Sequence, residues 1–426
     1  MLSLPQVTVL PNGAKIATLE SRESASVAIG FFVAAGARCE PAAVSGHSHF
    51  LEHMLFKGSA KRAAHRILQD IEGRGGRTNA STGNESTYYY ASMPEDSAAL
   101  GLDVIGDAYL HPTLAPADVE KERGVIMEEL KMYRDSPDDY VSDLAQSALW
   151  KNHPLGTPII GSPKTLEDTT AESLRGYHAS RYHAGSTVIA AAGAVSHEKF
   201  VAMATPYALA LPASGDRGFK KATANTPIVP LIVDRRETEQ VNAVLGYRID
   251  FGDSDERRYA LRVLNVLLGE NMSSRLFRSV REKHGMAYAV ASSGTLFTET
   301  GGFQIYAGFD RKRSAKGLEL CAAEIKRILN ETPGKAEFAR AIRYITGGLK
   351  MSYETTISRM WFAGMGTLKD KKETPEETIE KFTRVTPEQV RALAGEIFKP
   401  EKRILALVMP RDGVDSPEKH LEAASC

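Results

Sequence analysis

Only three cysteines occur in the 426 residues, Cys39, Cys321 and Cys426, far apart and without any Cys-x-x-Cys spacing. A scattered, odd-numbered set excludes a disulfide framework and a cysteine-built zinc knuckle, and it fits a reducing compartment. Net charge is lacking as well. The 53 lysines and arginines balance 53 aspartates and glutamates, so no overall field draws the chain toward nucleic acid or acidic membranes. Long apolar runs are missing too: the longest, Val27 to Ala37 and Val188 to Val195, fall short of the roughly 18 residues a membrane span needs. The start, Met1 to Pro5, shows no basic segment, apolar middle or cleavage site, so no secretory signal is expected. The expected location is the bacterial cytoplasm, with an organellar matrix, after trimming, as the alternative.

What is present describes a folded protein. A hydrophobic content of 42% supplies ample core material, and 426 residues exceed what one ordinary core holds, so two or three domains are expected. Between Pro212 and Pro227 the chain loses both hydrophobic periods and fills with breakers, which predicts a linker over 213–226 between domains at 1–212 and 227–426. The two halves resemble one another. Ala117 to Met132 lies over Ala336 to Met351, and Gly58 lies over Gly269, a spacing that means duplicated domains rather than a solenoid. Strand-like runs at Ser26 to Val33, Val241 to Tyr247, Ser186 to Val195 and Arg403 to Met409 alternate with helical stretches. The predicted class is α+β, with each domain a mostly antiparallel sheet packed against helices.

The most informative segment is His49-Phe50-Leu51-Glu52-His53. On a helix, positions i, i+3 and i+4 share a face, so His49, Glu52 and His53 point the same way and both imidazoles can reach one ion. Catalytic zinc commonly takes two histidines and a carboxylate and keeps a place for water. Glu129, 76 residues beyond His53, completes that set. Glu52, not itself a ligand, is then placed to take a proton from water as general base. The alternative is an amphipathic helix with two solvated histidines.

Pro116 to Tyr133 reads as a helix with Glu122, Ile126, Glu129 and Tyr133 along one side. Carboxylates on a partly apolar stripe are costly to bury without a cation, which zinc and its histidines would supply; two solvated acids in a charged helix remain the alternative. In the repeat alignment Glu122 and Glu129 fall on Ala341 and Gly348, while His49, Glu52 and His53 fall on Ala260, Val263 and Leu264. The second half therefore keeps the helices and loses the metal set together. Gly156 to Gly161 begins like a phosphate loop but continues Ser162-Pro163 without the lysine, so nucleotide binding through that motif is rejected.

With these residues in view, the chain resembles the inverted-motif zinc peptidases of the pitrilysin or insulinase-like family (M16), in its half-length branch with the mitochondrial processing peptidase β subunit and bacterial relatives. The likeness rests on Gly36 to Glu40, Gly46 to Gly58, Asn79-Ala80, Glu122 to Glu129, Glu239 to Val241, Ser274 to Phe277 and Arg281 to Tyr288. One departure is Gly193-Ala194-Val195, where the family often has Gly-Asp-Val.

The resemblance implies one zinc ion per chain on His49, His53 and Glu129, Glu52 as general base, and Glu122 supporting the metal shell. It also implies that Arg281 and Tyr288 act on the substrate carbonyl; taken by themselves, the two read as a surface arginine and a core-edge tyrosine. The implied activity is a zinc-dependent endopeptidase cleaving unfolded peptides or short polypeptides inside a chamber. Because a half-length chain carries both the zinc motif and the Arg281/Tyr288 pair, a homodimer with each site shared between chains is expected. A noncatalytic assembly subunit of the same fold is the alternative, which the intact His49, Glu52, His53 and Glu129 set disfavours. Asn79, Ala80, Ser81 and Thr82 are expected to form an exposed strand edge that binds substrate backbone, the alternative being a turn into a buried strand.

Overall fold

The computed structural model describes residues 3–215 and 218–425; Met1, Leu2, Asp216, Arg217 and Cys426 lie outside the described residues, and with them part of the expected start and linker. Among the described residues no helix is long and apolar enough to cross a membrane.

Two compact units divide the chain. The first comprises Met1–Leu130, Pro158–Lys220 and Leu349–Glu377; the second comprises Lys131–Thr157, Lys221–Gly348 and Thr378–Cys426. The first holds a six-stranded sheet of β1 (Gln6–Val9), β2 (Lys15–Glu20), β3 (Ser26–Val33), β4 (Arg77–Thr82), β5 (Thr87–Pro94) and β6 (Thr187–Gly193), in the order β1-β2-β6-β3-β5-β4. The second holds β7 (Leu231–Arg236), β8 (Gln240–Ile249), β9 (Ala287–Leu296), β10 (Gly301–Asp310) and β11 (Arg403–Pro410), in the order β7-β11-β8-β10-β9. Apart from β1, one order maps onto the other strand for strand. In each sheet one pair is parallel, β2 with β6 and β7 with β11, and the remaining pairs are antiparallel. The expected α+β class and the duplication are both present.

Strand β3 shows why its sequence is apolar without alternation. Val27, Ile29, Phe31 and Val33 join the core beneath the helices that follow it, while Ala28 and Phe32 join a second core with Met360 and Ala363. Both faces are covered, and a strand covered on both faces reads as a continuous hydrophobic run. The cover on the second face is the helix Thr356–Leu368, which follows the long helix Lys335–Ser352 in sequence. The packing is close there: a Cβ on Gly364 would come within 2.2 Å of the Phe32 ring.

An equivalent helix, Pro137–Leu149, follows Pro116–Asp135 and covers the other sheet, with Val141, Ala145 and Leu149 in one core with Val244, Ile404 and Val408. Each half of the sequence thus contributes one helix to the unit built mainly from the other half. The boundary predicted at 213–226 puts each of those two helices in the domain opposite the sheet it covers, because an apolar helix face carries no record of which sheet it meets. Burying each large side chain in these layers contributes roughly 1.5–3 kcal/mol.

Candidate metal centre

The first site element is the helix His47–Met54. Its buried face is Phe50, Leu51 and Met54, which leaves His49, Glu52 and His53 on the partly open side. Two features fix its start. Gly46 takes a left-handed φ of 96°, where a Cβ would come within 2.7 Å of the Ile160 carbonyl oxygen. The buried Glu40 carboxylate then accepts from the backbone N–H groups of Gly46 (2.7 Å) and Ser48 (2.6 Å). A carboxylate satisfies orphan donors at a helix N-terminus and complements its dipole. Burial nevertheless raises the Glu40 pKa to about 7, against the opposing pull of those N–H donors and of Arg181.

The second element is Pro116–Asp135, whose buried face runs Val119, Glu122, Ile126 and Leu130. Glu129 shares that side, and its two oxygens lie 3.7 Å from His49 Nε2 and 3.5 Å from His53 Nε2. One donor atom from each of His49, His53 and Glu129 lies within 4.8 Å of the others. Those separations are long for hydrogen bonds. Two ligands bound about 2.0–2.2 Å from one tetrahedral zinc stand roughly 3.4 Å apart, so the spacing fits ligands sharing an ion.

The surroundings fit as well. His53 Nδ1 pairs with Glu122 Oε1 at 2.9 Å, which directs its Nε2 to Glu129, the arrangement that orients metal-bound histidines. Lys57 Nζ holds the other Glu122 oxygen at 2.7 Å, and the Glu122 side chain is only 3% exposed. Burial pushes the Glu122 carboxyl up, but Lys57 and His53 outweigh it and hold its pKa below the ordinary value. Burial and the neighbouring His53 pull His49 down to about 4, keeping its imidazole neutral as metal binding requires. For His53 burial acts downward, and the carboxylates of Glu129 and Glu122 prevail, raising it.

Glu52 stands beside the cluster. Burial raises its pKa, and the Thr82 hydroxyl, donating to Oε2 at 2.5 Å, pulls it partly back. Thr82 ends β4, an edge strand paired on one side only, to β5. Of the predicted substrate edge, Asn79 is exposed while Ala80, Ser81 and Thr82 are half-buried; the Asn79 side chain accepts from the N–H of Ala80. In the second unit, Arg281 lies on the helical turns Phe277–Lys283 and Tyr288 at the start of β9. The structure brings that pair together: the guanidinium sits 4.9 Å over the Tyr288 ring, and Tyr288 is 79% exposed.

Sequence reading gave no role to Glu40 or Lys57, and assigned Thr82 to substrate rather than to Glu52. Lys57 lies past the end of the helix His47–Met54, four residues after His53, so helical spacing alone does not assign it a place beside Glu122. Glu40 and Thr82 reach the helix from separate segments, which spacing does not reveal.

Comparison with known proteins matches the chain in two successive segments. Residues 15–163 match the family described as Insulinase (Peptidase family M16), and residues 168–345 match the one described as Peptidase M16 inactive domain. A Mycobacterium tuberculosis protein named as an uncharacterized zinc protease is 36% identical over 92% of this chain and 91% of its own. A Bacillus subtilis protein so named is 35% identical over 95% of this chain and 98% of its own. Among solved structures, a peptidase M16 inactive domain from Pseudomonas fluorescens superposes with TM-score 0.89 at 22% identity, covering 96% of this chain and 99% of that one. A Helicobacter pylori protease gives 0.88 at 19%, covering 96% and 100%. At those identities the two structures speak for the fold.

Proposed function

The chain belongs to the insulinase-type peptidase family M16, and from that premise we propose that it is a zinc-dependent endopeptidase acting on unfolded peptides or short polypeptides. The observation that carries the reading is the convergence of His49, His53 and Glu129 with Glu52 beside them. His49, His53 and Glu129 would hold the ion, one per chain. When bound, zinc supplies Lewis acidity that makes water a nucleophile near neutral pH.

The protein's own groups then divide the work. Glu52, with a carboxyl raised by burial, accepts the proton of the attacking water and returns it to the leaving amine. Thr82 fixes one oxygen of that carboxylate. Glu122 and Lys57 keep His53 in the tautomer that offers Nε2. An extended substrate pairs with the open edge of β4 through its backbone, which gives affinity with little demand on side-chain sequence.

Arg281 and Tyr288 supply donors to the carbonyl oxygen as charge develops on it; one such donor is worth ~3 kcal/mol of barrier. In this reading they come from a second copy of the chain, so the working form is a homodimer enclosing the substrate, and its place is the cytoplasm. Zinc content and peptide cleavage, measured together for wild type and Glu52→Gln, test the proposal.

A further inference from the structure

We propose that the second unit carries a binding site, separate from the peptidase reading, for the phosphate chain of a di- or triphosphate. The site is a cavity of about 840 Å³ between the turns Phe277–Lys283, the helix Ser314–Asn330 and the start of the helix Lys335–Ser352. Six cationic side chains line it: Arg275, Arg278, Lys283, Arg327, Lys335 and Arg340. Against them stand three carboxylates, Glu282, Glu324 and Glu337, an excess of three positive charges in one cavity.

The pairing within the cavity is uneven. Arg275 Nε and Nη2 grip Glu337 at 2.8 and 2.9 Å, and Arg327 lies 3.7 Å from Glu324 and 3.5 Å from Glu331. Among the described residues, Arg278, Lys283 and Lys335 have no acidic partner within ion-pair distance, while Arg340 helps to hold the Glu337 carboxyl below its ordinary value through charge alone. Arg275 is the buried anchor: its side chain is 6% exposed, yet its Nη1 is enclosed with no hydrogen-bond partner. A guanidinium donor left buried and unpaired is costly, and an anion held in the cavity would add negative charge beside it.

Two further features favour phosphate over carboxylate. Lys335, Ala336 and Glu337 open an 18-residue helix, whose N-terminal end carries the positive pole of its dipole. Ser273 and Ser279 border the same space. A single carboxylate brings one charge, whereas a di- or triphosphate brings about three to five along one short chain, enough to offset the excess. Arginine forks and lysine point charges are both suited to such oxygens.

Calorimetric titration of tripolyphosphate into the zinc-loaded full-length protein at physiological salt tests the site. Arg278→Ala/Arg340→Ala protein run in parallel accounts for any heat of zinc chelation, and Lys283→Gln serves as an independent variant should the double one be unstable. Saturable one-to-one binding that weakens at least tenfold in the variants is expected. Adenosine triphosphate binding no tighter than tripolyphosphate identifies the free phosphate chain as the ligand; binding more than tenfold tighter identifies a nucleotide carrying it. Absence of saturation, equal affinity in the variants, or a pentaglutamate peptide binding as tightly as tripolyphosphate would overturn the proposal.

Discussion

The Glu122 carboxylate bridges two residues of one motif, meeting His53 Nδ1 at 2.9 Å through one oxygen and Lys57 Nζ at 2.7 Å through the other. The bridge explains how a carboxylate only 3% exposed stays ionised, and in the proposed function it ties Lys57 to the metal site without making it a ligand. Removing Lys57 leaves a buried charge with one partner fewer. Lys57→Ala is expected to weaken zinc affinity about 10- to 100-fold, and Glu122→Gln by a similar factor, because groups behind a ligating histidine carry effects of that size. Competition for zinc against a chromogenic chelator measures both.

Thr82 reaches Glu52 from the edge strand, so its hydroxyl orients the carboxylate proposed as the general base and lowers its pKa. A hydrogen bond to a charged group contributes about 1.5–3 kcal/mol, which predicts a roughly 10- to 100-fold fall in kcat for Thr82→Val with KM little changed. Since Thr82 opposes the upward push of burial on Glu52, the acid limb of the pH profile should move to higher pH in Thr82→Val. Thr82→Ser should restore both rate and profile. Equal behaviour of the valine and serine variants would separate Thr82 from the base.

Glu40 should give the helix His47–Met54 a pH-dependent anchor. Its folded pKa, about 7, lies above the ordinary carboxylate value of 4.5, so the folded state binds the proton more tightly than the unfolded chain. Its contribution is therefore greatest below the ordinary value and declines as pH climbs from about 4.5 to about 7, by up to about 3 kcal/mol. Glu40→Gln cannot titrate and should lack that slope. Urea unfolding of both proteins at pH 5 and 7.5 should show the wild-type advantage shrinking at the higher pH.

How far these features were legible in the sequence depends on whether the cause is local. Strand β3 was visible because eight consecutive residues, Ser26–Val33, carry their own burial signal. The clustering of the candidate metal set was legible because His49, Glu52 and His53 obey a helical spacing, and because Ala341 and Gly348 mark where the second half lacks the acids. The traded helices, Pro137–Leu149 and Thr356–Leu368, were not, since either would read as amphipathic on any sheet. Glu40 and Thr82 act on a helix from outside it, so their roles exist only after folding.

Arg281 stacked on an exposed Tyr288 awaits a substrate group in the proposed dimer. Mixing Glu52→Gln protein with Tyr288→Phe protein should regain partial activity, because one of the two sites in a mixed dimer would then be whole. No recovery, with mixed dimers demonstrated, would place both parts in the same chain.

The most direct test of the metal reading is zinc per chain determined beside peptide turnover for wild type, Glu52→Gln and Glu129→Gln. One zinc in the wild type and in Glu52→Gln is expected, with Glu52→Gln turnover down by about 10²–10⁴, and zinc largely lost from Glu129→Gln. Full zinc retention without Glu129, or a Glu52→Gln protein as active as wild type, would contradict the account.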